Sequence, residues 1–346
     1  MKKLRYILFV AVLSFSSQSR AQNPSNTLPE AKAGSHAEVF AHASQLLGQG
    51  KYDDAIAELQ RLSVAQPELK GLTHELGIAY YKKGDYTRAI RSFKQTLQQN
   101  SADSEATQLL GMSYYLSGKP ADAIPLLEKV QEWYPRANVD ASYILGECYI
   151  QTKDYDHARH AFAKMFDLPP DSAGSYLLTA RMLFRQEFEP VALEYAQKAV
   201  ALDPKLPLAN FLLGEIHLFE SKVPESITDF QRELSLNPGH PATYYKLADA
   251  YSRLQKFDDA ERLLQRSIWL DPTSTGPYIL MGKVLEKKGE PELAVRALQR
   301  AVTMDPNNAV THHLLGQAYR DLGKSQEAAR ELKLAGELES GDKAQP

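Results

Sequence analysis

Small and apolar residues return along this chain at the three- and four-residue spacings of a helical face. Leu76-Gly77-x-x-Tyr80 reappears as Leu110-Gly111-x-x-Tyr114, Leu145-Gly146-x-x-Tyr149 and Leu315-Gly316-x-x-Tyr319. Behind each comes a second apolar stripe built on an alanine, as in Gly84-Asp85-Tyr86-x-x-Ala89 and Phe257-x-x-Ala260. Asp203-Pro204, Asn237-Pro238, Asp271-Pro272 and Asp305-Pro306 then close successive periods 34 residues apart. With position 20 set on its small residue, units start at 36, 70, 104, 139, 173, 207, 241, 275 and 309. One inserted residue, Asn138, is the only irregularity between His36 and Asp342. Positions 4, 7, 8 and 11 of each unit predict a first helix, and positions 20, 24 and 27 a second, each about 14 residues or about 21 Å long. The pattern describes an all-α chain.

Residue types at fixed positions fit that reading. Position 8 is Gly or Ala throughout and position 20 is Ala except at Ser226, so bulk is missing where two helices cross. Gly50, Gly84, Gly118, Gly289 and Gly323 share position 15, where a helix C-terminus takes a left-handed residue. Proline near position 32 ends the second helix, because it lacks an amide donor and restricts the residue before it. Unit five (173–206) departs most, with Thr179 at position 7, Glu187 at 15 and Ala196 at 24. It is expected to be the weak joint.

This pattern resembles the tetratricopeptide repeat, with its W-x2-L-G-x2-Y, A-x3-F and P over 34 residues. No unit has the family's Trp at position 4, where Tyr176, Tyr244 and Tyr278 are the nearest substitutes. The resemblance implies a right-handed superhelical solenoid of nine helix–turn–helix repeats, in which each pair buries its apolar face against its neighbours. It also implies that positions 2, 5, 9, 12 and 13 of the first helices line a concave groove for extended peptides. The middle of that stripe supplies the candidate binding residues Tyr143, Glu147, Arg181, Phe184, Phe211, Glu215, Tyr245 and Asp249, with Phe219 beside them. The family's carboxylate clamp uses Asn and Lys on this stripe. Position 9 carries no Asn here, so recognition of an acidic C-terminal tail is not expected.

The chain's ends narrow the picture. Lys2, Lys3 and Arg5, the apolar run Tyr6–Phe15 and the small-x-small triplet Ser19-Arg20-Ala21 make a three-part secretory signal peptide, residues 1–21. Residues 22–35 read as a disordered polar lead and 343–346 as a tail. Four of the 40 basic residues precede Gln22, leaving 36 against 43 acids in a chain that starts there. That balance argues against a nucleic-acid partner. No later run is apolar enough to span a bilayer. One cysteine, Cys148, excludes an intrachain disulfide and reads as a small buried hydrophobe.

Catalytic and metal motifs are wanting. His157 and His160 share a helical face without a third ligand, and His312 and His313 point different ways. No catalytic residue, cofactor or metal is expected. The sequence therefore reads as an exported, periplasmic or secreted, non-enzymatic scaffold for protein segments in the cell envelope. The alternatives are an accessory subunit delivering substrate to a separate envelope enzyme or export machine, and a structural protein self-assembling through its uncapped C-terminal helix. Leu332, Leu334 and Leu338 of that helix would then face solvent, a partner or another copy.

Overall fold

The computed structural model describes residues 33–133 and 139–342, with side chains over 36–133 and 141–340. The expected signal peptide, most of the polar lead and the tail lie outside the described residues. Eighteen helices follow one another as nine pairs, with no strand among the described residues. The first helices are α1 (Ala33–Gly48), α3 (Leu72–Lys83), α5 (Ser104–Leu116), α7 (Val139–Gln151), α9 (Ala173–Arg185), α11 (Ala209–Phe219), α13 (Pro241–Arg253), α15 (Thr275–Lys288) and α17 (Ala309–Asp321). Their partners are α2 (Tyr52–Ala65), α4 (Tyr86–Gln99), α6 (Pro120–Trp133), α8 (Tyr155–Met165), α10 (Glu189–Leu202), α12 (Val223–Leu236), α14 (Phe257–Leu270), α16 (Pro291–Met304) and α18 (Ser325–Asp342). Each even helix packs between its own odd helix and the next one. Odd helices also lie beside one another, whereas even helices do not, so the odd helices form the inner face of an all-α solenoid.

Close approach within a pair depends on position 8 meeting position 24. A methyl group on Gly77 would stand 2.5 Å from the Phe93 ring, and one on Gly214 would stand 2.5 Å from the Phe230 ring. Overpacking of that kind costs about 1–3 kcal/mol. In unit five the same crossing is made by Ala180 and Ala196, both fully buried, so a small residue meets a small one. Position 15 is left-handed in every pair. Besides the five glycines, Lys153, Glu187, Ser221 and Gln255 take φ between 58 and 63°.

Hydrogen bonds join the repeats at two recurring places. The Tyr244 and Tyr278 hydroxyls donate to the carbonyls of Pro238 and Pro272, at 3.1 and 3.4 Å. His312 does the same at position 4 of the last pair, its Nε2 donating to the Pro306 carbonyl at 2.9 Å while Nδ1 faces Glu331 at 2.6 Å. The ring is buried and His313 is exposed, as their adjacency predicts. The second place links position 25 of one unit to a tyrosine at position 11 of the next. Gln60 donates to the Tyr80 hydroxyl at 2.8 Å, Gln231 to Tyr251 at 3.1 Å and Gln299 to Tyr319 at 2.7 Å, while Tyr149 donates to Glu128 at 2.5 Å. Lys94 instead lies over the Tyr114 ring, 5.5 Å from its centre. Leu183 and His217 hold position 11 in units five and six, so this link is missing on both sides of unit five.

The junction before unit five is built differently. α8 is eleven residues long and stops at Met165, ahead of left-handed Asp167 and the Pro169-Pro170 pair. Buried Arg159 secures the connector. Its guanidinium donates to the Pro170 carbonyl, pairs with Asp171 at 2.7 Å, and lies 4.5 Å from the centre of the Tyr176 ring. α7 and α9 approach each other less closely than other neighbouring odd helices. One apolar core runs from α1 to α11 and another from α13 to α18. Between them sits a small cluster of Phe211, Leu218, Phe230, Leu247 and Ala250. Polar side chains are buried alongside it. Glu233 is fully buried and accepts the Leu208 amide at 2.9 Å, and neither amide atom of fully buried Asn210 has a hydrogen-bond partner among the described residues.

Candidate functional site

The inner face between α7 and α13 is built from side chains one helical turn apart on successive odd helices. On α7, Tyr143 is half-buried and Glu147 is buried, one turn apart. Burial, more than any other influence, pushes the Glu147 carboxyl above the usual carboxylate range, against a hydrogen bond from Gln186 (2.6 Å), the nearby charge of Arg185 and a hydrogen bond from Tyr143. Burial and the neighbouring carboxylate raise the Tyr143 phenol in turn. Glu147 therefore ties α7 to the end of α9 and is no free acceptor in the groove.

Exposed side chains begin on α9. Arg181 and Arg185, one turn apart, are both exposed and have no ion-pair partner among the described residues. Phe184 is half-buried and meets Phe219 of α11 edge to face, with ring centres 5.8 Å apart and an interplanar angle of 89°. Phe219 is 62% exposed, unusually open for a phenylalanine. Phe211 is different: it is 6% exposed, packed between Phe230 and His240, and belongs to the core cluster of unit six. Its ring is not offered to the groove. Position 5 is closed there by Phe230 of the partner helix on one side and by His240, just before the next repeat, on the other.

Further along, charges are satisfied within the repeats. Glu215 pairs with Lys246 at 2.9 Å, and Asp249 pairs with Arg253 at 3.0 Å. Tyr245 is half-buried, its phenol raised by burial, and packs beside Gly276 of α15. The structure thus gathers Arg181, Phe184, Arg185 and Phe219 into one open patch. Tyr143, Glu147, Glu215, Tyr245 and Asp249 form the more occupied walls around it. Arg185 and Phe219 both hold position 13, the row of the stripe that carries most of the open surface.

Other chemistry-bearing groups are spoken for. Cys148 is fully buried and free, and burial pushes its thiol up to about 12, so it packs as a small hydrophobe. His157 and His160 are exposed on α8, with Nδ1 of each facing Asp154 (2.8 Å) and the Asp156 carbonyl (2.7 Å). No group of three or more His, Cys, Asp or Glu that could hold a metal exists among the described residues. No helix of the described residues is long and apolar enough to cross a membrane.

Family profiles described as Tetratricopeptide repeat match residues 74–137, 114–181, 243–278, 276–308 and 297–330. The chain belongs to the tetratricopeptide repeat family. Among curated proteins it is similar to the human Intraflagellar transport protein 88 homolog, 26% identical over 103 residues, which is 28% of this chain and 12% of that protein. It is also similar to the BBSome complex member BBS4 homolog of Drosophila melanogaster, 24% identical over 184 residues, 51% of this chain and 30% of that one. The chain thus spans less than a third of either relative. Among solved structures, the crystal structure of MamA matches with a TM-score of 0.44 and 22% identity, over 47% of this chain and 95% of that one.

Proposed function

We propose that this chain is a non-enzymatic scaffold that holds an extended segment of a partner protein along its inner face, across units four to six. The observation that carries this reading is the open patch of Phe184, Phe219, Arg181 and Arg185. Aromatics beside exposed arginines are the residue types that dominate interface energies. An apolar side chain seated on the Phe219 ring, with a carboxylate reaching the guanidiniums, complements that patch. Membership in the tetratricopeptide repeat family supports the general role of protein binding. The signal-peptide pattern of residues 1–21 supports a place for that scaffold in the cell envelope.

The test compares the proteins captured from an envelope extract by the wild type and by a Phe184→Ala/Phe219→Ala double variant. Captured partners should be lost, by about 1–4 kcal/mol of affinity for each anchor, with the melting temperature unchanged for Phe219→Ala alone and lowered only by the share of Phe184 that packs on the core. Arg181→Ala should weaken binding and reduce its salt dependence without changing stability. Phe211→Ala is the contrasting control. As a core ring it should cost about 3–5 kcal/mol of stability. A double variant that melts normally and captures the same partners at the same strength defeats the inner-face reading.

A further inference from the structure

We propose that the outer face of the last three repeats is a second binding surface, one that takes an acidic segment of a partner protein with apolar side chains among its carboxylates. It rests on residues separate from the inner-face patch. Positions 22 and 26 lie one helical turn apart on the outward side of every even helix. In units seven to nine they carry Arg262 and Arg266 on α14, Arg296 and Arg300 on α16, and Arg330 on α18. All five are exposed. Arg262 pairs with Asp259, and the other four have no ion-pair partner among the described residues. In every unit but seven and eight one of the two rows is interrupted, by Ala57, Gln95, Pro125, His160, Glu194, Thr228 or Leu334. A chain with a formal net charge of -3 thus fills both rows with guanidinium groups on two consecutive helices, α14 and α16, with Arg330 of α18 beyond them.

Apolar surface is interleaved with that charge. Trp269 is 70% exposed, and the Arg266 guanidinium lies over one side of it, 4.2 Å from the ring centre. Leu293, 42% exposed, stands one turn before Arg296 on α16. Guanidinium groups match carboxylates in two parallel hydrogen bonds, and arginine with tryptophan is the pairing richest in interface energy. A nucleic-acid strand can stack a base on Trp269 but has no aliphatic side chain to set against Leu293. Following the arginine rows, it would also run alongside Asp259, Glu292 and Glu327, which border them. A protein segment alternating carboxylates with apolar side chains satisfies both features, and can skip the acidic borders.

The experiment uses the whole chain from Gln22 and a fluorescent peptide alternating glutamate with leucine and tryptophan. A single-stranded oligonucleotide and vesicles of phosphatidylserine with phosphatidylcholine run as parallel probes. Wild type should bind the peptide in preference to both, with affinity that falls as salt rises. Arg266→Ala/Arg300→Ala should lose at least about tenfold in peptide affinity with an unchanged melting temperature. Arg266→Lys/Arg300→Lys should lose less, since lysine keeps the charge and forfeits the paired hydrogen bonds. Repeated in a Phe184→Ala/Phe219→Ala background, which removes the inner-face patch of similar chemistry, the Arg266→Ala/Arg300→Ala pair should cause the same tenfold loss, and this separates the outer-face binding from the inner-face reading. Three results overturn the proposal: no measurable peptide binding, peptide binding indifferent to the alanine pair, or tighter binding of the oligonucleotide or the vesicles through the same arginines.

Discussion

Lys153, Glu187, Ser221 and Gln255 hold a left-handed backbone without being glycine. They do so because the turn between paired helices has one geometry, and the chain adopts it whichever side chain is present. A non-glycine residue in that region costs about 1–2 kcal/mol, offset in part by the greater freedom that glycine has in the unfolded chain. Each of Glu187→Gly and Gln255→Gly should therefore raise stability by up to about 1 kcal/mol, seen as a higher thermal midpoint, and Gly84→Ala should lower it. His74 gives a residue-level pH dependence. Its Nε2 lies 3.5 Å from Glu105 and its Nδ1 2.9 Å from Asp103. The Glu105 hydrogen bond above all, aided by Asp103, raises its pKa from 6.5 to about 9, against burial that lowers it. A histidine whose pKa is raised on folding contributes its full stability below the unfolded value and loses it as pH climbs through the folded one. Thermal midpoints of the wild type should fall between pH 6.5 and 9, and His74→Gln should flatten that fall. The same residue occupies position 5 of the predicted binding stripe, yet its ring serves the joint between units two and three.

At the scale of helices and repeats, stability is a sum of units and nearest-neighbour interfaces. Unit five lacks the Tyr-to-position-25 link on both sides, and its junction with unit four depends on Arg159 bracing a connector after a short α8. Unit six, next along, breaks the apolar core and buries the Asn210 amide without a hydrogen-bond partner among the described residues, which costs about 1–3 kcal/mol for an unsatisfied group. Hydrogen exchange should find amides of 173–206 opening ahead of units four, seven and eight, with unit six following. Uniform protection from unit four to unit seven contradicts this. The unit boundaries and Thr179, Glu187 and Ala196 were legible in the sequence because repeat register makes each deviation visible. The Arg159 brace was not, since its partners Pro170, Asp171 and Tyr176 lie in a connector and in the next repeat.

The whole molecule has two faces and two ends. If residues 1–21 direct export, N-terminal sequencing of the exported protein should begin at Gln22, and a start at Met1 would refute cleavage. At the other end, Leu332 packs on Gly316, and Leu334 and Leu338 are half-buried. The side of α18 matching the one that earlier repeats turn to their successor carries Ala329, Lys333 and Gly336, where unit two has Ile90, Lys94 and Leu97. Exposed Lys333 and Gly336 give that side little apolar surface.

The sequence by itself determined the helix pairs, their 34-residue period, the small residues at each crossing and the burial of Cys148. All of these follow from local periodicity and from the size of single side chains, which one repeat after another states again. Only the tertiary structure decided which members of the predicted stripe remain open. Phe211 and Tyr143 both hold position 5, but Phe230 and His240 close over Phe211 while Tyr143 stays half-buried, and Phe184 at position 12 meets Phe219 at the surface. Glu147, Glu215 and Asp249 likewise look like free charges in sequence, and are taken up by Gln186, Lys246 and Arg253. Position 13 stays open in every repeat, whereas at positions 5 and 9 openness depends on which neighbour reaches a side chain first, and that is set by the stacking of repeats.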